Sequence, residues 1–528
     1  VDKFRVRAAS KLGDIVNSTP FYVGKPVAGH SDVDHPGYAA FNAAYKNRLP
    51  VVYVGANDGM LHGFNACIPD VTPGCSVADA GKEVIAYLPS MVYANLSRLT
   101  DKDYNNNHRF FANGSPMVAD AYLNGSSGWR TVLVSGLNGG GKGYFALDIT
   151  NPSDASQSAP TFAATNAASL LLWEFSDTDD ADMGYSYNQP SVEPTIGQSK
   201  QIVKMENGQW AVVVGNGYNS DSGKAVLYIL FLTGGEDGSW TLGADYIKLV
   251  ADAGPSNGLS TPVPFDSNGN GLADVIYAGD IKGNVWRFDV SSASPASWSV
   301  GIGGLPLFAA GAGKPVIAPP VISFHPNGGQ LVLFGTGKYL ETGDTTNTDI
   351  QTMYGIWDHN TTATIPVGEL IQQVITDSTV RTTTQHAVNY SASTKGWYFN
   401  LPVGGERLTG IPTLRNGVFI FSTIIPSISP CDFGGQGFVN AVDFLTGGMF
   451  PFPAFDTNNN NRIGSDDGLS SGIMTVFSEG GIEVFGQIGN SSQNLGLQND
   501  SGGNLIKIPI TAGAAGLRGR ITWRELAQ

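Results

Sequence analysis

The sequence predicts an all-β protein, a seven-bladed β-propeller with decorated loops, and six or eight blades also fit the pattern. Three observations carry this expectation. Charged residues make up only 14% of the 528 residues, whereas glycine (68) and aromatics (10%) are abundant, which is the balance of a chain built from short strands and tight turns. A three-strand phrase recurs from one end to the other. No Pro/Ser-rich linker separates the copies, so an array of independent sandwiches is disfavoured. Stacking small sheets around an axis buries apolar faces that each sheet alone would expose, and leaves only short edges. A single domain over 1–528 is the expectation.

In each copy a segment with Pro or Ser leads into an apolar strand, a second strand ends in Gly, and a third follows a Gly turn and often ends in Asp. The first copy takes residues 18–23, 51–55 and 60–64. The second takes 115–119, 131–136 and 143–148, and the third 189–192, 210–215 and 226–230. Copies four and five use 261–263, 274–279 and 283–289, then 319–323, 331–335 and 353–357. The sixth uses 411–413, 417–421 and 438–443. A ragged seventh is assembled from 473–477, 481–485 and the terminal 521–526. The long spacings 66–114 and 236–259 read as insertions on the rims.

Inside the fourth copy lies the stretch with the clearest chemistry. Asp266, Asn268 and Asn270 stand at positions 1, 3 and 5 of a tight loop, the main-chain carbonyl of Leu272 falls at position 7, and Asp274 closes at position 9. Calcium takes six to eight oxygens at about 2.3–2.6 Å, and alternate residues of a Gly-loosened turn can supply them. Magnesium demands near-octahedral geometry and keeps its waters, so it suits the loop less well. Position 12 is Tyr277, in a strand-like run, so the loop is a compact nine-residue site and not a helix-flanked EF-hand. The competing reading is a solvated Asx/Gly turn without metal. A second candidate metal loop places Asp456, Asn458, Asn460, the Arg462 carbonyl and Asp467 at EF-hand spacing, with Asn461 where Gly is usual. A solvated Asn-rich loop is its alternative. The acidic run 177–182 lacks the alternation.

The formal net charge of −15 repels phosphate backbones and disfavours nucleic-acid binding. No run of 18 apolar residues occurs, so no transmembrane segment is predicted. The start lacks the basic and apolar regions of a signal peptide, which, if it exists, lies outside this stretch. Cys67 and Cys75 bracket a loop with two prolines and a glycine, and a disulfide between them is expected, implying an oxidising compartment. Cys431 has no evident partner. Residues 136–143 nearly spell a phosphate-binding loop, but Gly143 stands where Ser or Thr is needed and a strand follows where a helix should begin. Ser470, in a Gly-x-Ser-x-Gly string, follows a polar loop and reads as an ordinary loop residue. His62 reads as a hydrogen-bonded structural residue.

Several segments taken together resemble one known family. These are residues 11–20, the phrase Val54-Gly-Ala-Asn-Asp-Gly-Met-Leu-His-Gly-Phe64, Asn113-Gly-Ser-Pro116, Leu172-Trp-Glu-Phe175, the loop 266–274 and the closing 519–526. They are similar, in order and over nearly the whole chain, to the C-terminal propeller of the PilC/PilY family of type IV pilus biogenesis factors and tip adhesins. The resemblance implies the C-terminal module of a longer protein. It also implies a non-enzymatic role at the cell surface or outer membrane, in which calcium at Asp266, Asn268, Asn270, Leu272 and Asp274 favours pilus extension over retraction. The implied partners are minor pilins of the pilus tip complex and host-cell or surface ligands.

Two other functions stay open from the residues alone. Quinone-dependent dehydrogenases also join a propeller to calcium, but their ion bridges protein carboxylates and the quinone on the axis, and many carry a vicinal disulfide that this chain lacks. A lectin-like propeller would present aromatic platforms for sugars. No Arg-Gly-Asp triplet occurs.

Overall fold

Short apolar strands pair with their neighbours in sequence, mostly antiparallel, in a computed structural model. It describes residues 12–72, 75–123, 128–153, 161–193, 197–427, 435–476, 483–485, 493–499 and 505–511. The chain packs as two compact units. No helix among the described residues is long and apolar enough to cross a membrane.

The first unit comprises residues 1–266, 270–274 and 290–299. Its first sheet runs in chain order through β1 (Phe21–Val23), β2 (Val51–Gly55), β3 (Leu61–Asn65) and β4 (Glu83–Tyr87). The second is β5 (Met117–Leu123), β6 (Gly128–Gly136), β7 (Gly143–Asp148) and β8 (Leu171–Ser176). After the two-stranded pair β9 (Val192–Glu193) and β10 (Gln198–Ser199) comes a third sheet of β11 (Ile202–Lys204), β12 (Trp210–Gly215), β13 (Ala225–Phe231) and β14 (Tyr246–Asp252). The strand β15 (Val263–Phe265) closes the series. Every residue of β12 and β13 is buried, so both faces of these inner strands are covered and their sequences are continuous apolar runs. Val51, Tyr53 and Leu61 pack on Leu133 and Phe145, while Val132, Tyr144 and Phe175 pack on Val212, Val214 and Tyr228. Successive sheets thus meet face to face.

The second unit comprises 267–269, 275–289 and 300–528. There β16 (Val275–Gly279) pairs with β17 (Asn284–Asp289), and beyond the short β18 (Ser299–Val300), β19 (Phe308–Ala309) pairs with β17. The next sheet has the order β20 (Val321–Phe324), β21 (Gln330–Gly335), β22 (Thr352–Asp358), β25 (Gly396–Asn400) and β23 (Leu370–Gln372). Another places β24 (Val380–Arg381) next to β29 (Gly472–Val476), followed by β28 (Gln436–Asp443), β27 (Val418–Ile425) and β26 (Thr413–Arg415). The last described sheet is β30 (Glu483–Phe485), β31 (Gln493–Asn499) and β32 (Leu505–Thr511). Leu331, Leu333 and Trp397 pack on Phe419 and Phe421, and Ile420 and Ala441 pack on Ile508 and Ile510. A fully buried Arg381–Glu406 pair at 2.6 Å, with Thr423 also donating to Glu406, sits in this unit.

The glycines that end the second strands have one shared cause. At Gly215 a Cβ would lie 2.3 Å from the main-chain oxygens of Leu259 and Ser260, and at Gly55 it would lie 2.2 Å from that of Ala112. Gly136 and Gly279 are crowded in the same way by Ser186 and Val316, and Gly335 by the side chains of Met353 and Leu408. In each case a later segment of the same unit crosses directly over the strand end. The residue after Gly215 stitches that crossing together: buried Asn216 donates to the Asp182 and Lys224 carbonyls and accepts from the Val226 and Leu259 amides, at 2.9–3.0 Å.

Two strand assignments change. The strand beside β12 is Ile202–Lys204, not residues 189–192, of which only Val192 enters a strand, paired to β10. Residues 473–477 do not open a seventh copy: 473–476 lie in β29, which pairs with β28 and completes the sixth sheet. The polar loop 456–467 lets the chain turn back to that edge. Residues 483–485 do belong to a further sheet, while 477, 481–482 and 521–526 lie outside the described residues. Both expected insertions contain a fourth strand, β4 and β14.

Cys67 and Cys75 are disulfide-bonded, with Cα atoms 5.9 Å apart, and Cys431 lies outside the described residues. The phrase around His62 forms the β2–β3 turn. Asp58 accepts from the Gly13 amide at 2.6 Å and from the Met60 amide at 3.2 Å, and His62 Nε2 meets Asp58 at 3.1 Å while its Nδ1 meets Glu83. Burial works against a charged imidazole here, but the hydrogen bonds and charges of Asp58 and Glu83 outweigh it and raise the pKa above 6.5.

Two outcomes are expected from this packing. Replacing Gly215 with Ala should cost about 1–3 kcal/mol through overpacking, read as a lower denaturant midpoint. Gly368→Ala, where a Cβ meets nothing within 4 Å, should stay within about 0.5 kcal/mol. His62 has a folded pKa above its unfolded one, so its contribution is complete below about pH 6.5 and disappears as pH rises through the raised value. The midpoint difference between wild type and His62→Gln should therefore be larger at pH 5.5 than at pH 9, and an equal difference at both would contradict the assigned ion pair.

Candidate metal centre

The stretch 266–274 folds as a loop wrapped around its first carboxylate. Asp266 Oδ1 accepts from the Asn270 amide at 3.2 Å and Oδ2 from the Gly271 amide at 2.7 Å, while Asn270 Oδ1 accepts from the Leu272 amide at 2.8 Å. Gly269 and Gly271 sit at φ +81° and +85°, the left-handed conformation that glycine adopts without Cβ penalty. The loop is anchored at its exit. The Ala273 amide donates to the Lys204 carbonyl at 2.9 Å, and Asp274 donates through its amide to Phe265 at 3.1 Å and accepts through its carbonyl from Val290 at 3.0 Å. Asn268 and Asn270 are exposed, whereas Asp274 is buried.

These residues suit a hard cation. The five oxygens named from the sequence come from one tight turn held by its own main chain, and none is a soft donor. Glu206, from the turn after β11, approaches as well: its carboxylate accepts from Asn270 Nδ2 at 2.9 Å and brings a further negative charge to the rim. Nothing in the sequence marked it, since it lies 64 positions away in an unremarkable Met-Glu-Asn-Gly turn. No group of three or more His, Cys, Asp or Glu comes together among the described residues, so the donors are chiefly amide and main-chain oxygens.

The second candidate loop repeats the wiring of the first. Asp456 accepts from the Asn460 amide at 3.2 Å and the Asn461 amide at 2.6 Å, and Asn460 Oδ1 accepts from the Arg462 amide at 2.8 Å. Asn459 and Asn461 take φ +60° and +64°, at the positions occupied by Gly269 and Gly271 in the first loop. Asn tolerates this region, which explains how the turn forms without glycine. Asp467, the last of the expected ligands, is held by the main chain as Asp456 is. Its carboxylate accepts the main-chain amides of Thr457, Asn458 and Gly464 and the Thr457 hydroxyl, at 2.7–3.2 Å. Burial opposes its ionisation, but these bonds outweigh that and lower its pKa. The neighbouring Asp466 instead faces the Asn458 and Asn460 side chains, at 2.8 and 3.1 Å.

Other strings resolve into structure. In the acidic run, Asp180 and Asp182 pair with Lys248 at 2.7 and 2.6 Å, and Lys224 reaches Asp182 at 3.1 Å. Burial opposes ionisation of Asp182, yet Lys248, Ser222 and Lys224 hold its pKa at about 2. Ser470 is fully buried and does not present a nucleophile.

A family model for the PilY1 β-propeller domain matches residues 12–388. The chain belongs to the PilY1 β-propeller family. Its all-β architecture, expected from the sequence, is that of the family. It is 36% identical over 529 residues to the type IV pilus biogenesis factor PilY1 of Pseudomonas aeruginosa PAO1, covering 90% of this chain and 42% of that protein. A PilY1 homolog of Xylella fastidiosa is 34% identical, with 84% of this chain and 30% of that protein covered. The crystal structure of the Pseudomonas aeruginosa PilY1 C-terminal domain superposes with a TM-score of 0.70 at 31% identity, over 94% of this chain and 100% of that one. This PilY1-family chain spans less than half the length of the curated relatives it matches.

The division of labour between the two adjacent carboxylates is open to test. Asp467→Ala should make the loop 456–467 more susceptible to limited proteolysis, because four donors lose their acceptor, whereas Asp466→Ala should leave cleavage in chelator unchanged.

Proposed function

We propose that this chain is a calcium-binding, non-enzymatic module of type IV pilus biogenesis, and that its calcium occupancy biases pilus extension against retraction and so tunes twitching motility. Family membership supports the pilus role. The observation that carries the calcium reading is the loop 266–274, with alternating oxygen donors on a turn pre-formed by its own main chain. Asp266, Asn268, Asn270, the Leu272 carbonyl and Asp274 would hold the ion, with Glu206 adding charge at the rim. Bound calcium supplies charge neutralisation, and the chain does the rest. Asp266 and Asp274 bring like charges into one turn, so the loop without a cation carries repulsion that binding relieves.

At a ligand concentration a thousandfold above the dissociation constant, binding stabilises the folded form by roughly 4 kcal/mol. That suffices to order a loop edge from which a partner takes its cue. Such partners are minor pilins of the tip complex and, at the cell surface, host or surface ligands. A tip-adhesin role, with its bearing on virulence, belongs to the same reading. The quinone-dependent dehydrogenase alternative finds no support in the family, and the oxygen donors are concentrated in one turn with no need of a cofactor to complete it. The loop 456–467 is the second place where calcium would bind, through Asp456, Asn458, Asn460, the Arg462 carbonyl and Asp467, with Asp466 adding charge beside the asparagines.

Calorimetric titration decides the matter. Asp274→Ala should lose calcium binding at 266–274, because it removes one of the loop's two carboxylates while the main-chain bonds of this residue to Phe265 and Val290 remain. Undiminished calcium affinity in the variant would refute the assignment.

A further inference from the structure

A polar cavity of about 840 Å³ opens in the first unit, within the size range of small-molecule sites of about 300–1,000 Å³. One wall is the run Gly139-Gly140-Gly141, whose likeness to a phosphate-binding loop the function above leaves unexplained. Side chains cannot be accommodated there. A Cβ on Gly140 would fall 1.7 Å from the Phe111 carbonyl oxygen, and one on Gly139 would fall 2.7 Å from the Tyr187 hydroxyl and 3.0 Å from the Phe110 ring. The run does not cradle phosphate. The amides of Gly140 and Gly141 are spent on the Leu137 and Asn138 carbonyls, Lys142 is held by Asp221 at 2.7 Å and Asp177 at 4.0 Å, and strand β7 follows.

The segment packed against this run supplies the recognition chemistry. Arg109 is exposed and, among the described residues, has no carboxylate within 4.0 Å, although the chain as a whole carries a net charge of −15. Its neighbour His108 is already engaged by Asp14 at 2.8 Å. Phe110 is 36% exposed, and the His108 ring sits edge-on to it at 5.4 Å. The Asn95 amide and the Asp177 carboxylate complete a lining rich in donors and acceptors and poor in apolar surface. One uncompensated guanidinium matches one planar carboxylate, which it can bind through two parallel hydrogen bonds. A triphosphate would call for several cations, and an apolar ligand would strand the polar groups unpaired.

We propose that this cavity binds a saccharide bearing a carboxylate, a sialic or uronic acid residue. Arg109 pairs with the carboxylate, Phe110 receives the C–H face of the ring, and Asn95 and Asp177 take hydroxyls. None of these residues belongs to either metal loop, so the site does not depend on the calcium reading.

The test titrates the whole chain with sialyllactose and a digalacturonate, with lactose as the neutral control and glucose phosphate as the phosphate-bearing one, each in calcium and in chelator. An acidic sugar should bind about tenfold or more tightly than lactose, the order expected for a charge-assisted pair, and equally in calcium and chelator. Arg109→Ala should abolish that preference, Arg109→Lys should restore part of it, and Phe110→Ala should weaken every sugar alike. Arg109→Gln serves in place of Arg109→Ala if the latter does not keep the wild-type unfolding midpoint. Saturable binding by neither acidic sugar, a preference that survives loss of Arg109, or tighter binding of glucose phosphate would each overturn the proposal. Failure of the calcium titration would leave it standing.

Discussion

The constraint on which the sheets depend is the passage of a later segment over the end of a strand. At Gly55, Gly136 and Gly215 in the first unit, and at Gly279 and Gly335 in the second, the end of a second strand lies so close to a later segment that a methyl group has no room. Such contacts let each connection run flat across the sheet it leaves and bring the next sheet to face-to-face packing distance. The apolar clusters that join successive sheets depend on it: Tyr53 with Phe145, Tyr144 with Val214, and Leu333 with Phe421 share cores because those connections are held down. Hydrophobic burial stabilises the sheets, but close backbone approach sets their spacing.

That constraint is also why much of the architecture was legible in the sequence. An inner strand covered on both faces must be an unbroken apolar run, and its terminal glycine is dictated by the crossing, so residues 51–55, 131–136, 210–215, 274–279 and 331–335 stand out together. Outer strands obey a weaker rule. In β4, Val84 is the one buried residue of five, and β14 is half exposed along most of its length, so neither announces itself by pattern and both were absorbed into apparent insertions. β29 was assigned to the wrong sheet for a related reason: its partner edge on β28 is reached only after a long polar excursion, and nothing local in Ile473-Met-Thr-Val says which way the chain turns.

The candidate site shows the same split between local and distant information. Everything within nine residues, namely the alternation of oxygen donors and the glycines between them, was readable because a tight loop is determined by its own residues. Glu206 was not readable, since it arrives through the pairing of Met205 with Ala273. In the second loop the spacing rule marks Asp467, whose carboxylate the turn's own amides engage, but it does not mark Asp466, which faces the Asn458 and Asn460 side chains. Sequence spacing can specify which residues are near, whereas the choice between adjacent carboxylates depends on where the unpaired amides of the turn happen to lie. The two loops share hydrogen-bond connectivity despite having glycines in one and asparagines in the other, so the backbone conformation, and not the residue type, is what they hold in common.

The out-of-order placement of β24 bears on biosynthesis. β24 is reached by the ribosome well before β29, yet the two are hydrogen-bonded neighbours, Val380 opposite Ile473 and Arg381 opposite Gly472. Until the later segment has emerged, the edge of β24 has no ladder, and the guanidinium that will be sealed against Glu406 remains in water. Long-range pairing of this kind is slow to form. The sheet is therefore finished from the far side, like a strap drawn back through its own buckle, and a nascent or truncated chain that stops short of residue 472 leaves an open strand edge and an unsealed charge pair in a compartment where neighbouring chains can reach them.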